Sequence, residues 1–329
     1  MSRNKNKYLD AVNIFFTGVG MYFKSLDKFL NYMSFPVFGQ LFGMVIIFFI
    51  TYLYAENIPD LAKTNPLFDN ILITLSLLLL FTLPVFFLLC KAIYDYLIAM
   101  AALNSIANNL SLKGKNRILD TKVHDELIKR RLFNYILLLF VLGVIYSVGM
   151  LPFFWVLLAA FFVYSCLSIQ VFALEENTSP IVAIKRSFML VKGNFWATSI
   201  LLVLLFGLTF VLLPNVIVWA FDEAQIIYYL ANPVEKFVSL LPIADLNGFF
   251  KEYNLPYNFG TYELARSFVS LILSSLVIAF TLPLRSCVCT LWYKYLDDEK
   301  IEENRQATKL DGRTELKKII RKPRKKESS

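Results

Sequence analysis

Six apolar stretches, each about 18 or more residues long and nearly free of charge, constrain the fold of this chain more than any other feature. An α-helix of about 20 such residues crosses the hydrocarbon core of a bilayer. Fifty-seven per cent of the 329 residues are hydrophobic and the mean hydropathy is +0.57, which excludes an ordinary soluble protein. The sequence therefore predicts an all-α, polytopic membrane protein.

The apolar stretches divide the chain into three regions. Residues 1–36 mix aromatic and charged side chains and are predicted to form a cytoplasmic N-terminus with an interfacial helix. Residues 37–296 form the membrane domain, with an outer loop at 219–266, and residues 297–329 form a basic tail predicted to be disordered. The predicted spans are 37–54, a second that begins near Asn70 and continues as a helix beyond Asp95, 133–150, 153–174, 196–218 and 267–290.

Lysine and arginine are distributed unevenly among the connecting segments. Twenty-seven of the 33 fall in the N-terminal segment, in 98–132, in 175–195 and from Lys294 onward, whereas the alternate segments hold four. Because cytoplasmic segments carry the excess of basic residues, this asymmetry predicts that both termini face the cytoplasm. It also explains the net charge of +8 without a nucleic-acid partner. We expect a multi-pass protein of the bacterial cytoplasmic (inner) membrane.

Residues 179–195 have the pattern of an amphipathic helix lying on the membrane surface between two spans. Ser179 can cap its first turn, and Pro180 suits the first helical position because no backbone N–H is needed there. Apolar residues then recur at helical spacing, at Ile181, Ile184, Phe188, Val191 and Phe195. Lys185 and Lys192 flank this stripe and can extend their ammonium groups to lipid head groups. The candidate head-group or interfacial contacts are Lys185, Arg186, Lys192, Trp196 and Arg285.

Two stretches of the chain resemble each other. FTLPVFFLLCKAIYDYL (81–97) and FTLPLRSCVCTLWYKYL (280–296) are identical at eight of seventeen positions. The starts of the odd-numbered spans are also alike, in KFLNY (28–32), RLFNY (131–135) and KGNFW (192–196). These matches predict three helical hairpins, an arrangement in which parallel repeats are known among transporters. The alternative is chance, since membrane helices draw on few residue types.

The segment 175–196 and the end of the sixth span share motif residues with a known group of proteins. These are Glu175, Ser179, Pro180, Ala183, Arg186, Ser187, Val191, Lys192 and Asn194 in the first, and Pro283, Arg285, Leu291, Tyr293 and Leu296 in the second. The pattern resembles the membrane domain that precedes the catalytic barrel of some bacterial glycerophosphodiester phosphodiesterases, and related stand-alone membrane proteins. The resemblance implies a polytopic membrane protein without the barrel, because its roughly 250 residues have no room here.

Residue types that carry catalysis are sparse. His124 stands beside two carboxylates in the 104–131 segment, a pattern that makes neither a zinc site nor a triad and predicts a solvated loop histidine. Asp95 is the one acidic residue in a predicted span, and Lys91 four residues earlier predicts an interfacial ion pair, which Arg285 could share. No Walker, HExxH or Gly-rich nucleotide motif occurs. We expect no enzymatic activity, no metal site and no cofactor.

Three classes of function remain open. One is a non-enzymatic membrane protein that organises lipids or partner proteins. Another is a transporter of a lipid or small amphiphile, favoured by the hairpin repeat and by prolines in three spans, Pro84, Pro214 and Pro283. The third, an enzyme on lipid head groups, would need more than Glu175 and Glu176. The expected partners are membrane lipids, with anionic head groups contacting the basic tail, where each basic residue contributes about 1 kcal/mol; no protein partner can be identified.

Overall fold

The computed structural model describes residues 6–113, 121–239, 241–253, 255–256 and 258–320, and within these ranges the regular structure is helical, with no β-strand. The α-helices are α1 (Lys7–Lys24), α2 (Leu26–Thr64), α3 (Ile71–Lys113), α4 (Thr121–Arg130), α5 (Leu132–Gly149), α6 (Trp155–Ser165), α7 (Ser168–Leu174), α8 (Pro180–Val191), α9 (Phe195–Phe206), α10 (Leu213–Glu223), α11 (Ile226–Val238), α12 (Ile243–Glu252), α13 (Thr261–Phe280) and α14 (Leu282–Ile320). Short 3₁₀ turns precede α3 and α6, and a π-helical segment, Gly207–Leu212, joins α9 to α10.

Six helical stretches in the described residues are long and apolar enough to cross a membrane, in the number and near the positions predicted. They are Leu26–Ile58, Ile71–Leu112, Leu132–Gly149, Pro152–Leu174, Phe195–Glu223 and Thr261–Glu303. Large apolar side chains cover their outward surfaces; Leu79 is 64% exposed, Phe87 63% and Val203 70%. Contiguous apolar surface of this kind requires hydrocarbon rather than water around it.

The first two spans pack closely along α2 and α3. A Cβ atom on Gly39 would lie 2.9 Å from the Cβ of Ala92, and one on Gly43 would lie 3.0 Å from the Cβ of Leu89. Gly39 and Gly43, four residues apart, therefore lie on the same face of α2 and let α3 approach closely, as small residues do between membrane helices.

The main buried core lies at the end of the bundle where the basic segments meet. Side-chain contacts join segments that are far apart in the chain: Lys7 with Glu299, Asp10 with Tyr295, Tyr32 with Asp125, Ser111 with Lys294, and Arg186 with Asp297. The N-terminal segment, the segment around α4, the α7–α8 region and the start of the tail thus share one end.

Helix α1 lies within residues 1–36, where the sequence predicts an interfacial helix. It runs antiparallel to α14, with Lys7 next to Glu299 at one end and the Tyr22 hydroxyl donating to the Phe280 carbonyl, 3.2 Å away, at the other. Between these ends Gly18 lies against Val288, where a Cβ would come within 2.9 Å of the backbone. The side of α1 that carries Phe15 and Tyr22 is therefore covered by protein, whereas Phe16 and Phe23 are 64% and 53% exposed. Burial raises the pKa of Tyr22 to about 12.

Prolines interrupt the last two spans. Pro214 has no N–H for the Phe210 carbonyl, and the preceding turn widens into the π-helical segment. The sixth span, predicted as one helix over 267–290, is divided at Thr281 into α13 and α14, and Pro283 lies in the first turn of α14, a position that suits proline. Pro84, its counterpart in the sequence repeat, lies inside the uninterrupted α3.

Two further boundaries differ from the prediction. Helix α14 continues to Ile320, so disorder from residue 297 is wrong for the part that the structure describes. Its first turns past Leu296 are held by Asp297 and Glu299, which bond to Arg186 and Asn194. The outer loop is shorter than 219–266 because α10 reaches Glu223 and α13 begins at Thr261. Between them α11 and α12 form a small second core with α13.

Candidate functional site

Helix α8 begins as the sequence predicts. The Ser179 hydroxyl accepts a hydrogen bond from the Val182 N–H at 3.4 Å, and Pro180 occupies the first helical position. At its other end the turn into α9 passes through Gly193, whose φ of +90° suits a residue without Cβ.

The buried face of α8 is rotated by about one residue from the predicted stripe. Ser187 is fully buried; its hydroxyl accepts from the Leu167 N–H at 3.2 Å and donates to the Tyr164 carbonyl at 2.7 Å. These bonds hold the helix against the junction of α6 and α7. Ile181, the first residue of the apolar stripe predicted from the sequence, is 74% exposed. The residues that are buried are Pro180, Ala183, Ser187, Leu190 and Val191.

The opposite side of α8 forms an exposed stripe of apolar and cationic residues, which we term the α8 outer face. Its members are Ile181, Val182, Lys185, Met189, Lys192 and Trp196. Val182, Lys185 and Met189 recur at spacings of three and four residues within α8, and Lys192 follows at its C-terminal end. Trp196, 69% exposed, lies beyond the Gly193 turn, in the first turn of α9. Three of the predicted lipid contacts, Lys185, Lys192 and Trp196, are thus exposed on α8 and on the turn into α9.

Arg186 points away from that surface. Its guanidinium lies 2.6 Å from Asp297 Oδ1 and 3.3 Å from Glu175 Oε1. The Tyr293 hydroxyl donates to the same Glu175 oxygen at 2.8 Å. We term these four residues the Arg186 cluster. It joins the two motif segments, 175–196 and 283–296, that carry the family resemblance.

Asp297 is the member of the Arg186 cluster that sequence reasoning missed. It stands four residues after Tyr293, so both side chains share one face of α14. That spacing is the signal that could have found it.

Arg131 fastens the other side of the α7–α8 turn. Its guanidinium donates to the carbonyls of Phe172, Glu175 and Thr178 at 3.0, 3.1 and 3.0 Å, and stands 4.2 Å from the centroid of the Phe172 ring. Desolvation lowers the pKa of Arg131 below its usual value. These bonds satisfy carbonyls that the end of α7 leaves open.

His124 is buried, not solvated as predicted. It is 8% exposed on α4, and its ring nitrogens lie 2.9 Å from the Ser105 hydroxyl and 3.0 Å from the Asn109 amide. The neighbouring Asp125 accepts from the Tyr32 hydroxyl at 2.5 Å, and burial raises the pKa of Asp125. These bonds fix α4 to α2 and α3. The consecutive polar residues His124, Asp125 and Glu126 did not indicate such packing in the sequence.

Lys91 and Asp95 lie together on α3, with Lys91 Nζ 2.6 Å from Asp95 Oδ2. Arg285, proposed from the sequence as a third member, forms no ion pair with either. Its guanidinium lies 4.9 Å from the centroid of the Phe210 ring and donates to the Ile278 carbonyl at 3.0 Å. The four-residue spacing on one helix thus brings Lys91 and Asp95 together. Arg285 instead contacts the fifth span at Phe210 and the end of α13 at Ile278.

Two further observations complete the site. An open groove of about 440 Å³ adjoins the α8 outer face, lined by the start of α1 (Asn6–Tyr8) and by the α8–α9 turn through Trp196.

Among the described residues, no three His, Cys, Asp or Glu side chains are grouped to hold a metal ion. The side chains of the basic tail beyond Arg305, to which anionic contacts were assigned, lie outside the described part of the chain.

Residues 11–300 match the model of a family described as a protein of unknown function (DUF975). The match covers most of the chain, so the protein belongs to this family. It includes both the α8 outer face and the Arg186 cluster. No curated protein and no solved structure matches the chain.

Proposed function

We propose that this member of the DUF975 family is a protein of the bacterial cytoplasmic membrane that gathers anionic lipids, and through them partner proteins, without catalysing a reaction. The α8 outer face carries the proposal. Trp196, Lys192 and Lys185 lie exposed on it together with three aliphatic side chains. The resemblance to the membrane domain of glycerophosphodiester phosphodiesterases is compatible with a role at the lipid surface.

The composition of this face matches the head-group region of a membrane. Trp196 and Ile181 are large apolar side chains, and burying each in an apolar environment is worth about 1.5–3 kcal/mol. Tryptophan also favours the interface between hydrocarbon and water. Lys185 and Lys192 add about 1 kcal/mol each beside an anionic leaflet. The apolar and the cationic side chains both lower the free energy of binding only when this face contacts a membrane with anionic lipids.

The excess of basic residues at this end of the bundle supports a cytoplasmic orientation. The cytoplasmic leaflet is the one that carries anionic lipids at its surface. The α8 outer face, the start of α1 and α4 would then all lie on the anionic side of the membrane.

Lipid selectivity tests the proposal. The full chain is reconstituted into vesicles, and electron paramagnetic resonance compares the association of spin-labelled phosphatidylglycerol with that of spin-labelled phosphatidylcholine. The double variant Lys185→Gln, Lys192→Gln is expected to lose most of the preference for phosphatidylglycerol, because two cations leave the lipid-facing surface. The variant Trp196→Ala is expected to weaken the association of both lipids.

The matched control is Lys236→Gln, Lys251→Gln, which removes the same charge from the segment between α10 and α13. It is expected to keep the selectivity of the parent chain. Equal selectivity in the parent and the Lys185, Lys192 variant would overturn the proposal.

A transporter of a lipid or small amphiphile is the second candidate function. One observation favours it: the π-helical segment of the fifth span, Gly207–Leu212, lies against the break of the sixth span at Thr281 through the contact of Arg285 with Phe210. Interrupted helices in the membrane commonly form substrate sites in transporters. Counterflow of labelled lysophospholipid into proteoliposomes would distinguish this function from lipid gathering.

A further inference from the structure

Arg285 is an arginine within the sixth candidate span, and its charge has no carboxylate partner. The ion pairs formed by the described residues do not include it. Its Nε atom is buried and has no hydrogen-bond partner. A cation inside a membrane protein without an opposing charge is costly and marks a functional position by default.

The groups around the guanidinium are neutral. One nitrogen donates to the Ile278 carbonyl at 3.0 Å, the Phe210 ring centroid lies 4.9 Å away, and the Tyr96 hydroxyl on α3 faces the same group. A carbonyl, a ring face and a hydroxyl stabilise a cation without cancelling its charge. An anion is the missing component of this arrangement.

The backbone beside Arg285 is irregular on two sides. Phe210 belongs to the π-helical segment Gly207–Leu212, and Ile278 lies in the last turn of α13 before the break at Thr281. π-Helical turns occur frequently at functional sites. At both interruptions a proline removes a backbone donor, Pro214 after the π-helical segment and Pro283 after Thr281.

From this geometry we propose that Arg285 binds the phosphate group of a membrane amphiphile at the junction of the second, fifth and sixth spans. The guanidinium fork matches the paired oxygens of a phosphate. Tyr96 supplies a hydroxyl that can donate to a third oxygen. The acyl chains of the amphiphile would continue along the apolar outer surface of the spans. This site is separate from the α8 outer face, and variants at Arg285 leave that face unchanged.

Native mass spectrometry of the full chain in detergent provides the test. The probes are dioctanoyl phosphatidylglycerol, dioctanoylglycerol, which lacks the phosphate, and inorganic phosphate, which lacks the chains. The parent chain is expected to retain phosphatidylglycerol in preference to the other two. Arg285→Gln is expected to weaken that binding about tenfold to a hundredfold, as the loss of charge-assisted hydrogen bonds implies.

Arg266→Gln is the matched control, because Arg266 is paired with Asp222 at 2.6 Å and lies away from the junction. It is expected to bind phosphatidylglycerol like the parent chain. Arg285→Lys, which keeps the charge but loses the planar fork, is expected to bind with intermediate affinity. It also serves as the test variant if Arg285→Gln does not fold.

Three results would overturn the assignment. They are unchanged phosphatidylglycerol binding in both Arg285 variants, equal retention of dioctanoylglycerol by the parent chain, and Arg285-dependent binding of inorganic phosphate as tight as that of the lipid. The last would make the ligand a free anion rather than an amphiphile. None of these results bears on the lipid selectivity of the α8 outer face.

Discussion

Two neighbouring cations on α8, Lys185 and Arg186, are expected to respond oppositely to the same substitution. Lys185 is exposed, whereas Arg186 bridges Glu175 and Asp297. Arg186→Gln leaves these two carboxylates facing each other without a cation. We expect this variant to lower the free energy of unfolding while Lys185→Gln leaves it nearly unchanged.

The exposure of the three side chains sets the size of the effect. Arg186 retains 35% of its side-chain exposure, Glu175 30% and Asp297 25%, so solvent screens part of the interaction. Exposed ion pairs contribute about 0–1 kcal/mol, and breaking a fully buried one costs about 3–5 kcal/mol. A value of about 2 kcal/mol lies between them. In a large chain, 1 kcal/mol of lost stability lowers Tm by about 2–4 °C, and a longer chain lies near the lower value. We therefore expect Arg186→Gln to lower Tm by about 4 °C.

The assay is thermal unfolding in detergent, followed by intrinsic tryptophan fluorescence. The double variant Arg186→Gln, Asp297→Asn should recover part of the lost stability, because it removes one of the two opposed carboxylates. A double-mutant cycle then isolates the coupling between Arg186 and Asp297. Equal Tm values for Arg186→Gln and Lys185→Gln, or additive effects in the cycle, would refute the reasoning.

Three further predictions concern other parts of the molecule. Burial raises the pKa of Asp125 above its ordinary value of 3.8, so the folded state holds this proton more tightly and loses the associated stability as pH rises through the raised pKa; Asp125→Asn should therefore gain Tm relative to the parent over that interval, and parallel pH profiles would contradict this. A membrane-impermeant maleimide should label Glu252→Cys but not Glu126→Cys on intact bacteria, and the reverse pattern would invert the proposed orientation. Gly18→Leu should cost about 1–3 kcal/mol by forcing α1 away from Val288, measured as a lower Tm, and an unchanged Tm would show that α1 does not rest on α14.

The helices themselves could be predicted from local sequence. The six spans follow from unbroken apolar runs, and the start of α8 follows from Ser179 and Pro180. The Lys91–Asp95 contact follows from the spacing of four residues on one helix. Each of these depends on residues that are close in the chain, where composition and helical geometry decide the outcome.

Which face of a helix is buried depended on tertiary contacts. The apolar spacing of α8 did not show which of its residues contact protein: Ser187 bonds to Tyr164 and Leu167 and is fully buried, whereas Ile181 is exposed. His124 had the composition of a solvated residue, yet α4 packs against α3 and buries it. In both cases polar bonds to another segment decide which side chain is buried.

The sequence by itself determined that the chain is an all-helical membrane protein and where its helices cross, because hydrocarbon accepts only long uncharged helical segments. The tertiary structure alone decided which cations pair with carboxylates and which lie among neutral groups. Arg186 and Lys185 are adjacent in the chain, but their side chains point in different directions, and only Arg186 meets Glu175 and Asp297. Arg285 was indistinguishable in sequence from an interfacial arginine until packing left it among neutral groups. A charge acquires its role from the partners that folding brings to it, and those partners lie far along the chain.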